Sequence, residues 1–237
     1  MRAPPTLIDS ATKFRTVKVS SMPEVAFLGR SNVGKSSLLN ALMGKEICHT
    51  SKHPGRTRSM NFFAIGGQDP NGNPGKLALL DMPGYGKASR EEWGQEIVKY
   101  LTGRKQLRRA FVLVDAVHGL KATDQQMLLL LRQNGVPHQV LLSKVDRFLT
   151  PDKPFTLQRA EKKMAALDET VAALREKIQP RLGDGPDALG EIIACSSAAQ
   201  VHGQTLGIPD LRCAILAATG IANKIVLPPP GSTDSES

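Results

Sequence analysis

Cysteine is scarce in this chain. Three occur in 237 residues, Cys48, Cys195 and Cys213, widely spaced and odd in number, with no C-x-x-C pair. Zinc-ribbon and iron–sulfur ligation are thereby excluded, and a reducing compartment is the natural setting. Long apolar runs are missing as well. The longest, such as Met127 to Leu131, fall far short of the ~20 residues needed to cross a bilayer. The N-terminus has no apolar stretch of the secretory kind. A soluble, cytoplasmic protein with no membrane partner is expected. Aromatic residues reach only 4%. Trp93 and Tyr100, on one predicted helix, are read as packing residues rather than as platforms for bases. His118, His138 and His202 are scattered and fit structural or surface roles better than metal ligation.

Basic residues, by contrast, are in excess. Lys and Arg number 31 against 22 Asp and Glu, a net charge of +9. Residues 1–109 hold 18 basic and 8 acidic side chains, whereas the remainder is close to neutral. A localised positive surface points to a polyanionic partner. Lys45, Lys52, His53, Arg56 and Arg58 gather in one region, and Arg104, Lys105, Arg108 and Arg109 form a second run. No recognisable RNA-binding module accompanies them, so a structured RNA surface held through phosphates fits better than a short sequence motif.

The hydrophobic pattern alternates short β-rich runs with helical segments. Strands are predicted at Val25 to Gly29, Met60 to Ile65, Lys76 to Asp81, Ala110 to Asp115, His138 to Ser143 and Glu191 to Ser196. Helices are predicted at Lys35 to Met43, Arg90 to Thr102, Thr123 to Gln133 and Ile208 to Ala218. One longer helix, Thr156 to Gln179, aligns Leu157, Ala160, Met164, Leu167, Val171, Leu174 and Ile178 on a single apolar face. Residues 66–75 are turn formers and predict an exposed hairpin tip. The alternation implies an α/β fold, a mostly parallel sheet with helices on both faces. Residues 1–22 and 223–237 lack periodicity and are expected to be flexible extensions around a domain spanning 23–222.

Gly29-Arg30-Ser31-Asn32-Val33-Gly34-Lys35-Ser36 matches G-x-x-x-x-G-K-[ST] between a predicted strand and a predicted helix. Its glycines let backbone N–H groups surround phosphate oxygens at a helix N-terminus. Lys35 is expected on the β- and γ-phosphates and Ser36 on Mg²⁺. Asp81-Met82-Pro83-Gly84 follows a neighbouring strand. Its carboxylate would hold Mg²⁺ through a water, and the Gly84 N–H would face the γ-phosphate. Thr57, within Gly55-Arg56-Thr57-Arg58-Ser59, lies in a loop that would close on the metal and the γ-phosphate. Lys35, Thr57 and Gly84 are thus the groups expected to act on the transferred phosphoryl group, with Ser36, Thr57 and Asp81 around the metal.

Ser143-Lys144-Val145-Asp146 ends a predicted strand and is close to the [NT]-K-x-D tetrapeptide that reads guanine. Asp146 would accept from the guanine N1 and exocyclic amine, with the Lys144 stem along the base. Adenine offers no such donor pair, so GTP is preferred over ATP. Ser143 stands where Asn or Thr is usual, which keeps a hydroxyl but weakens loop bracing. Ser196-Ser197-Ala198, after the last predicted strand, would bring a backbone N–H to guanine O6.

Together, GRSNVGKSSLLNAL from Gly29, PGRTRSMNFF from Pro54 and DMPGYG from Asp81 resemble the EngB-type ribosome-biogenesis GTPases, also called YihA or YsxC. The resemblance spans about Glu24 to Ala218. It implies a Ras-like P-loop GTPase domain with a six-stranded sheet and one antiparallel edge strand. It further implies a monomer that binds GTP or GDP with Mg²⁺, a role in large ribosomal subunit assembly on a precursor particle or ribosomal RNA, and a link to cell division and septation. In related proteins with this loop spelling, the residue matching Asn32 helps hold a potassium ion beside the phosphates. Tyr85 follows Gly84, where Ras-type proteins carry the glutamine that orients water, so intrinsic hydrolysis is expected to be slow. Two alternatives stay open: a related GTPase branch acting in transfer-RNA modification or membrane transport, and a nucleotide-stabilised RNA-binding module with negligible turnover.

Overall fold

The computed structural model describes residues 4–17, 21–48, 59–66, 76–86, 91–150, 156–180 and 183–221. In chain order its elements are β1 (Thr6–Ala11), β2 (Glu24–Gly29), α1 (Lys35–Met43), β3 (Met60–Ile65), β4 (Leu77–Asp81), α2 (Glu91–Gly103), β5 (Leu107–Asp115), α3 (Ala122–Gln133), β6 (His138–Ser143), α4 (Val145–Leu149), α5 (Leu157–Glu161), α6 (Met164–Ile178), β7 (Ile193–Ala194), β8 (Gln200–Val201), β9 (Gln204–Thr205) and α7 (Ile208–Thr219). All residues of β2, β4 and β6 are buried. Such strands read as nearly unbroken apolar runs because a parallel sheet is covered on both faces.

The main sheet has the order β1-β3-β4-β2-β5-β6-β7. Pairings from β4 through β2, β5 and β6 to β7 are parallel, while β3 runs antiparallel to β4 and β1 antiparallel to β3. Side chains alternate across β2, so Val25 and Phe27 join Leu38, Leu39 and Leu42 of α1 and Ile208, Leu211 and Ile215 of α7 on one face. Ala26 and Leu28 join Tyr100 of α2, Leu128 and Leu131 of α3, and Leu167, Leu174 and Ile178 of α6 on the other. Phe27 stacks on Phe111 at 5.3 Å, and Tyr100 meets Phe14 and Phe62 edge-on at 6.2 and 6.0 Å. Tyr100 is therefore a packing residue, as its position on an amphipathic helix suggests.

Four expectations require correction. The sheet has seven strands, because β1 pairs outside β3 and displaces it from the edge. The flexible extension drawn over residues 1–22 therefore contains an ordered strand. Only Ala11 of β1 is buried, so no hydrophobic pattern announced it; backbone pairing to β3, with an irregularity between Leu7 and Asp9, holds it there. The helix expected over 156–179 is two helices, broken at Lys162 and Lys163, and Met164 is left 43% exposed rather than on the apolar face. The last strand shrinks from six residues to Ile193–Ala194. The short helix α4 and the β8–β9 ribbon were not foreseen. Of the predicted hairpin tip over 66–75, residues 67–75 lie outside the described residues, as does the tail over 223–237.

Candidate functional site

The carboxyl ends of β2, β4, β5 and β6 set Gly29, Asp81, Asp115 and Ser143 along one margin of the sheet. Open α/β sheets hold their ligands there. Phe27 lies opposite Asp81 in register, and Asp115 lies opposite Ser143.

Between β2 and α1 the chain turns through Asn32 at φ 64° and Gly34 at φ 104°. Lys35 is buried and donates to the carbonyls of Gly29 and Arg30 at 2.9 and 3.3 Å. Burial pushes its pKa down, partly opposed by Asp81. Ser36 Oγ donates to Asp81 Oδ2 at 2.8 Å, joining the phosphate motif to the end of β4 across 45 residues. Burial pushes the Asp81 carboxyl up, opposed by Lys35 and by the Ser36 bond. Asp81 Oδ1 is a buried acceptor with no hydrogen-bond partner among the described residues. A hydroxyl and a carboxylate in contact, with one carboxylate oxygen unspent, suit a magnesium ion and its bound water.

The loop between α1 and β3 carries Gly55, Arg56, Thr57 and Arg58, all outside the described residues. Its two ends are fixed. Asn40 Nδ2 donates to the Cys48 carbonyl at 2.9 Å, and Asn40 Oδ1 accepts from the N–H groups of Ile47 and Cys48 at 3.1 and 2.8 Å. At the far end, the Ser59 and Ser10 hydroxyls lie 2.9 Å apart and both reach Asn61 Oδ1, at 2.9 and 2.8 Å. Ser59 thus faces β1 and β3. Burial, with Asp81 adding, pushes the Cys48 thiol up to about 12, so it stays protonated.

The residues expected to read the base lie on the same margin. Ser143 Oγ donates to the Val33 carbonyl at 2.9 Å and lies 3.2 Å from the Val114 carbonyl, so the serine does brace the phosphate loop. Lys144, at φ 58°, donates from Nζ to the Asn32 carbonyl and to Asp115 Oδ2, both at 2.7 Å. Ser196, 1% exposed, donates to Asp146 Oδ1 at 2.7 Å, and its oxygen accepts from the N–H groups of Ala198 and Ala199, each at 3.0 Å. Lys35, Ser36, Asp81, Lys144 and Asp146 therefore converge through direct bonds between their loops. The curated sequences similar to this chain include the "Probable GTP-binding protein EngB" of Mesorhizobium japonicum, 41% identical over 74% of this chain and 85% of its own length. EngB of Rhizobium meliloti is 42% identical over 83% of both chains. The family described as "50S ribosome-binding GTPase" matches residues 24–144. The chain belongs to the EngB family of GTPases. Among solved structures, Era of Aquifex aeolicus bound to GDP and aluminium fluoride superposes with a TM-score of 0.57 at 20% identity, covering 84% of this chain and 57% of that one. That likeness shows the Ras-like P-loop fold.

As a member of the EngB family, the chain is a GTP-binding protein, and several residues that hold this margin together were not legible in the sequence. Asp115 is one. Burial works to raise its pKa, but the Lys144 ammonium and the His118 contacts outweigh burial and hold the carboxyl below its ordinary value. It also accepts from Val117 N at 2.9 Å and so ties the next loop to the lysine strap. Gly207 is another. At φ +73° it caps the start of α7, and a Cβ there would lie 2.2 Å from the Ala194 carbonyl and 2.9 Å from Cys195. No motif flags either residue.

Around Gly84 the two sides of the phosphate site touch. Tyr85 N donates to the Gly29 carbonyl at 3.3 Å, and Ser31 N donates to the Tyr85 carbonyl at 3.2 Å. The Tyr85 side chain is 8% exposed and packed in the core. Burial pushes its pKa well up, and Asp124 adds to the effect. The tyrosine does not stand in for a water-orienting glutamine in this arrangement.

The second basic run needs revision. Arg104 donates to both carboxylate oxygens of buried Glu24, at 2.9 and 2.6 Å, and Arg109 donates to Gln139 at 2.8 Å. Two of its four cations thus hold the fold together. Lys105 and Arg108 are exposed, but they lie at the start of β5, the opposite end of the strand from Asp115 and the Gly29–Ser36 margin. In the first cluster Lys45 is exposed, whereas Lys52, His53, Arg56 and Arg58 lie outside the described residues. Among the described residues no helix is long and apolar enough to cross a membrane, and no group of His, Cys, Asp and Glu forms a separate metal cluster.

Proposed function

We propose that this EngB-family protein is a cytoplasmic, monomeric switch that works on a large-subunit ribosomal precursor, with the division and septation link that the family resemblance implies. Its loops would be ordered by GTP around Thr57 and Asp81, and hydrolysis or exchange for GDP would release it. The observation that supports this reading is the bonded convergence of Ser36 with Asp81 and of Lys144 with Asn32, residues expected at the metal, the phosphates and the base. The family description as ribosome-binding supports the choice of partner.

Within that site Ser36, Asp81 and Thr57 would hold Mg²⁺, which supplies charge neutralisation at the phosphates. Lys35 would leave its two carbonyls for the β- and γ-phosphates, an exchange favoured because a buried ammonium gains more from an anion than from carbonyl dipoles. Asp146 would read the guanine donors, steadied by Ser196. With Ala198 N turned onto Ser196 Oγ, Ser197 at the exposed crest of the loop is the residue to face guanine O6. A potassium ion beside Asn32 would supply charge that no side chain at position 85 supplies. Replacing potassium by sodium should slow single-turnover hydrolysis; an unchanged rate removes this ion from the account.

Cosedimentation with ribosomal subunits tests the whole reading. Binding should be strongest with a GTP analogue, weaker with GDP, and should fall steeply as salt rises, because Lys and Arg contacts to phosphates release counterions. Equal binding in both nucleotide states, or binding indifferent to salt, refutes it. The packing of Tyr85 in the core favours a second reading, an RNA-binding module with negligible turnover. Multiple-turnover phosphate release in the presence of ribosomal particles separates the two.

A further inference from the structure

One buried cluster beside the nucleotide site is not explained by nucleotide contact. Asp124, the third residue of α3, has no exposed surface. Its Oδ1 accepts from the Tyr85 hydroxyl at 3.0 Å. Its Oδ2 accepts from Lys121 N at 3.0 Å, capping the helix, and lies 3.1 Å from Arg30 Nε. One carboxylate therefore touches the phosphate loop through Arg30 and the segment after Gly84 through Tyr85. The main chains of these two segments are zipped together by the Tyr85–Gly29 and Ser31–Tyr85 bonds.

Gly84 is seated on Ser31 so closely that a Cβ would lie 2.9 Å from Ser31 N and Cα and 2.8 Å from its Oγ. A phosphoryl group is bulkier than a methyl. It cannot pass between Ser31 and Gly84 unless the zipper parts. The Ser31 N–H is also committed to the Tyr85 carbonyl. Because the Tyr85 ring is packed in the core and its hydroxyl is bonded, its main chain cannot swing outward without giving up the Asp124 contact.

We propose that Asp124 is a positioning residue: by holding Tyr85, and through it Gly84, against the phosphate loop, it favours the diphosphate-sized site and opposes entry of a third phosphate. The carboxylate thereby sets the ratio of GTP to GDP affinity, since a contact present only in the closed arrangement is lost on binding one ligand and kept on binding the other. The inference rests on nucleotide binding at the Gly29–Ser36 loop.

The test uses the full-length chain and calorimetric titration with GDP and with a non-hydrolysable GTP analogue. Tyr85→Phe removes the hydroxyl and keeps the ring. It should raise affinity for the analogue about tenfold relative to GDP, the scale of one hydrogen bond to a carboxylate, with GDP affinity within about twofold of the parent. Asp124→Asn should shift the ratio in the same direction, and if that variant fails to fold, Tyr85→Phe alone carries the test. A variant that weakens both nucleotides by one factor marks a merely structural contact and overturns the proposal, as does a fall in analogue affinity relative to GDP. A parent chain that binds neither nucleotide overturns the reading of the loop itself, and the proposal with it.

Discussion

Replacing Ser196 by alanine isolates the group that steadies Asp146, the carboxylate proposed to read the base. The hydroxyl is 1% exposed, donates to Asp146 Oδ1 at 2.7 Å and receives two backbone N–H groups at 3.0 Å. A hydrogen bond to a charged group contributes about 1.5–3 kcal/mol. Asp146 is half-exposed, so water recovers part of this and the lower bound of about 1.5 kcal/mol applies. Ala198 is exposed and its N–H can turn to solvent, but Ala199 is 2% exposed and its N–H is left unpaired, which costs about 1 kcal/mol more. Ser196→Ala should therefore lose roughly 2–3 kcal/mol of stability, a fall of about 4–12 °C in Tm for a chain of this size. It should also lose about tenfold in GDP affinity. The decisive assay compares GDP with inosine diphosphate, which lacks the exocyclic amine from which Asp146 would accept. The parent should prefer GDP, and the variant should narrow the gap. A gap that stays the same while stability drops would show that Asp146 either does not read the base or needs no support from Ser196.

Other outcomes follow from the same geometry. Gly207→Ala places a Cβ 2.2 Å from the Ala194 carbonyl at φ +73°; left-handed strain and overpacking together should cost about 2–5 kcal/mol, read as a lowered Tm that GDP only partly restores. Asp115→Asn removes the charge that anchors Lys144 and should weaken GDP about five- to tenfold, because an ion pair between a buried carboxylate and a partly exposed lysine, with good geometry, contributes roughly 1 kcal/mol or a little more; calorimetry decides. The parent's Asp115 carboxyl sits below its ordinary value, so its contribution to stability is complete above that ordinary value and is lost as acid titrates it in the folded state. Asp115→Asn should flatten the acid limb of a stability-against-pH curve. His138 has the opposite character: burial, with Arg132 nearby, holds its pKa below the usual 6.5. The unfolded chain then binds more protons below about pH 6.5, so stability falls as pH drops through that range. His138→Gln should reduce this dependence, and unchanged unfolding curves from pH 5 to 7 would refute it.

Much of the candidate site was legible because the motifs that compose it are local. The Gly29–Ser36 spelling requires its glycines and lysine within eight positions, and a strand must precede it and a helix follow; β2 and α1 do so. Helix α1 and strands β3 and β6 fall on their predicted bounds, since each is a short apolar run with clear punctuation. The supports of the site were less legible. Asp115, Asp124 and Gly207 match no motif, and each acts on a partner supplied by another element or a following loop. The basic run at 104–109 shows the same limit from the other side: counted as charges, its four cations are equivalent, yet Arg104 is bound to Glu24, 80 residues away. The break at Lys162 and Lys163 leaves no mark in an apolar periodicity that continues through it.

The amino-acid sequence by itself determined the class of fold, the phosphate and guanine motifs and the order in which strand ends would present them, because backbone geometry, periodicity and ligand chemistry act over a few residues. Tertiary structure decided which of these groups meet. Ser143 reaches Val33 across 110 positions and Lys144 reaches Asn32 across 112, β1 joins the sheet by pairing rather than by apolar pattern, and Tyr85 turns inward onto Asp124. Contacts of that range depend on where the sheet places distant strand ends, and burial decides whether a charge serves a ligand, a helix cap or the fold.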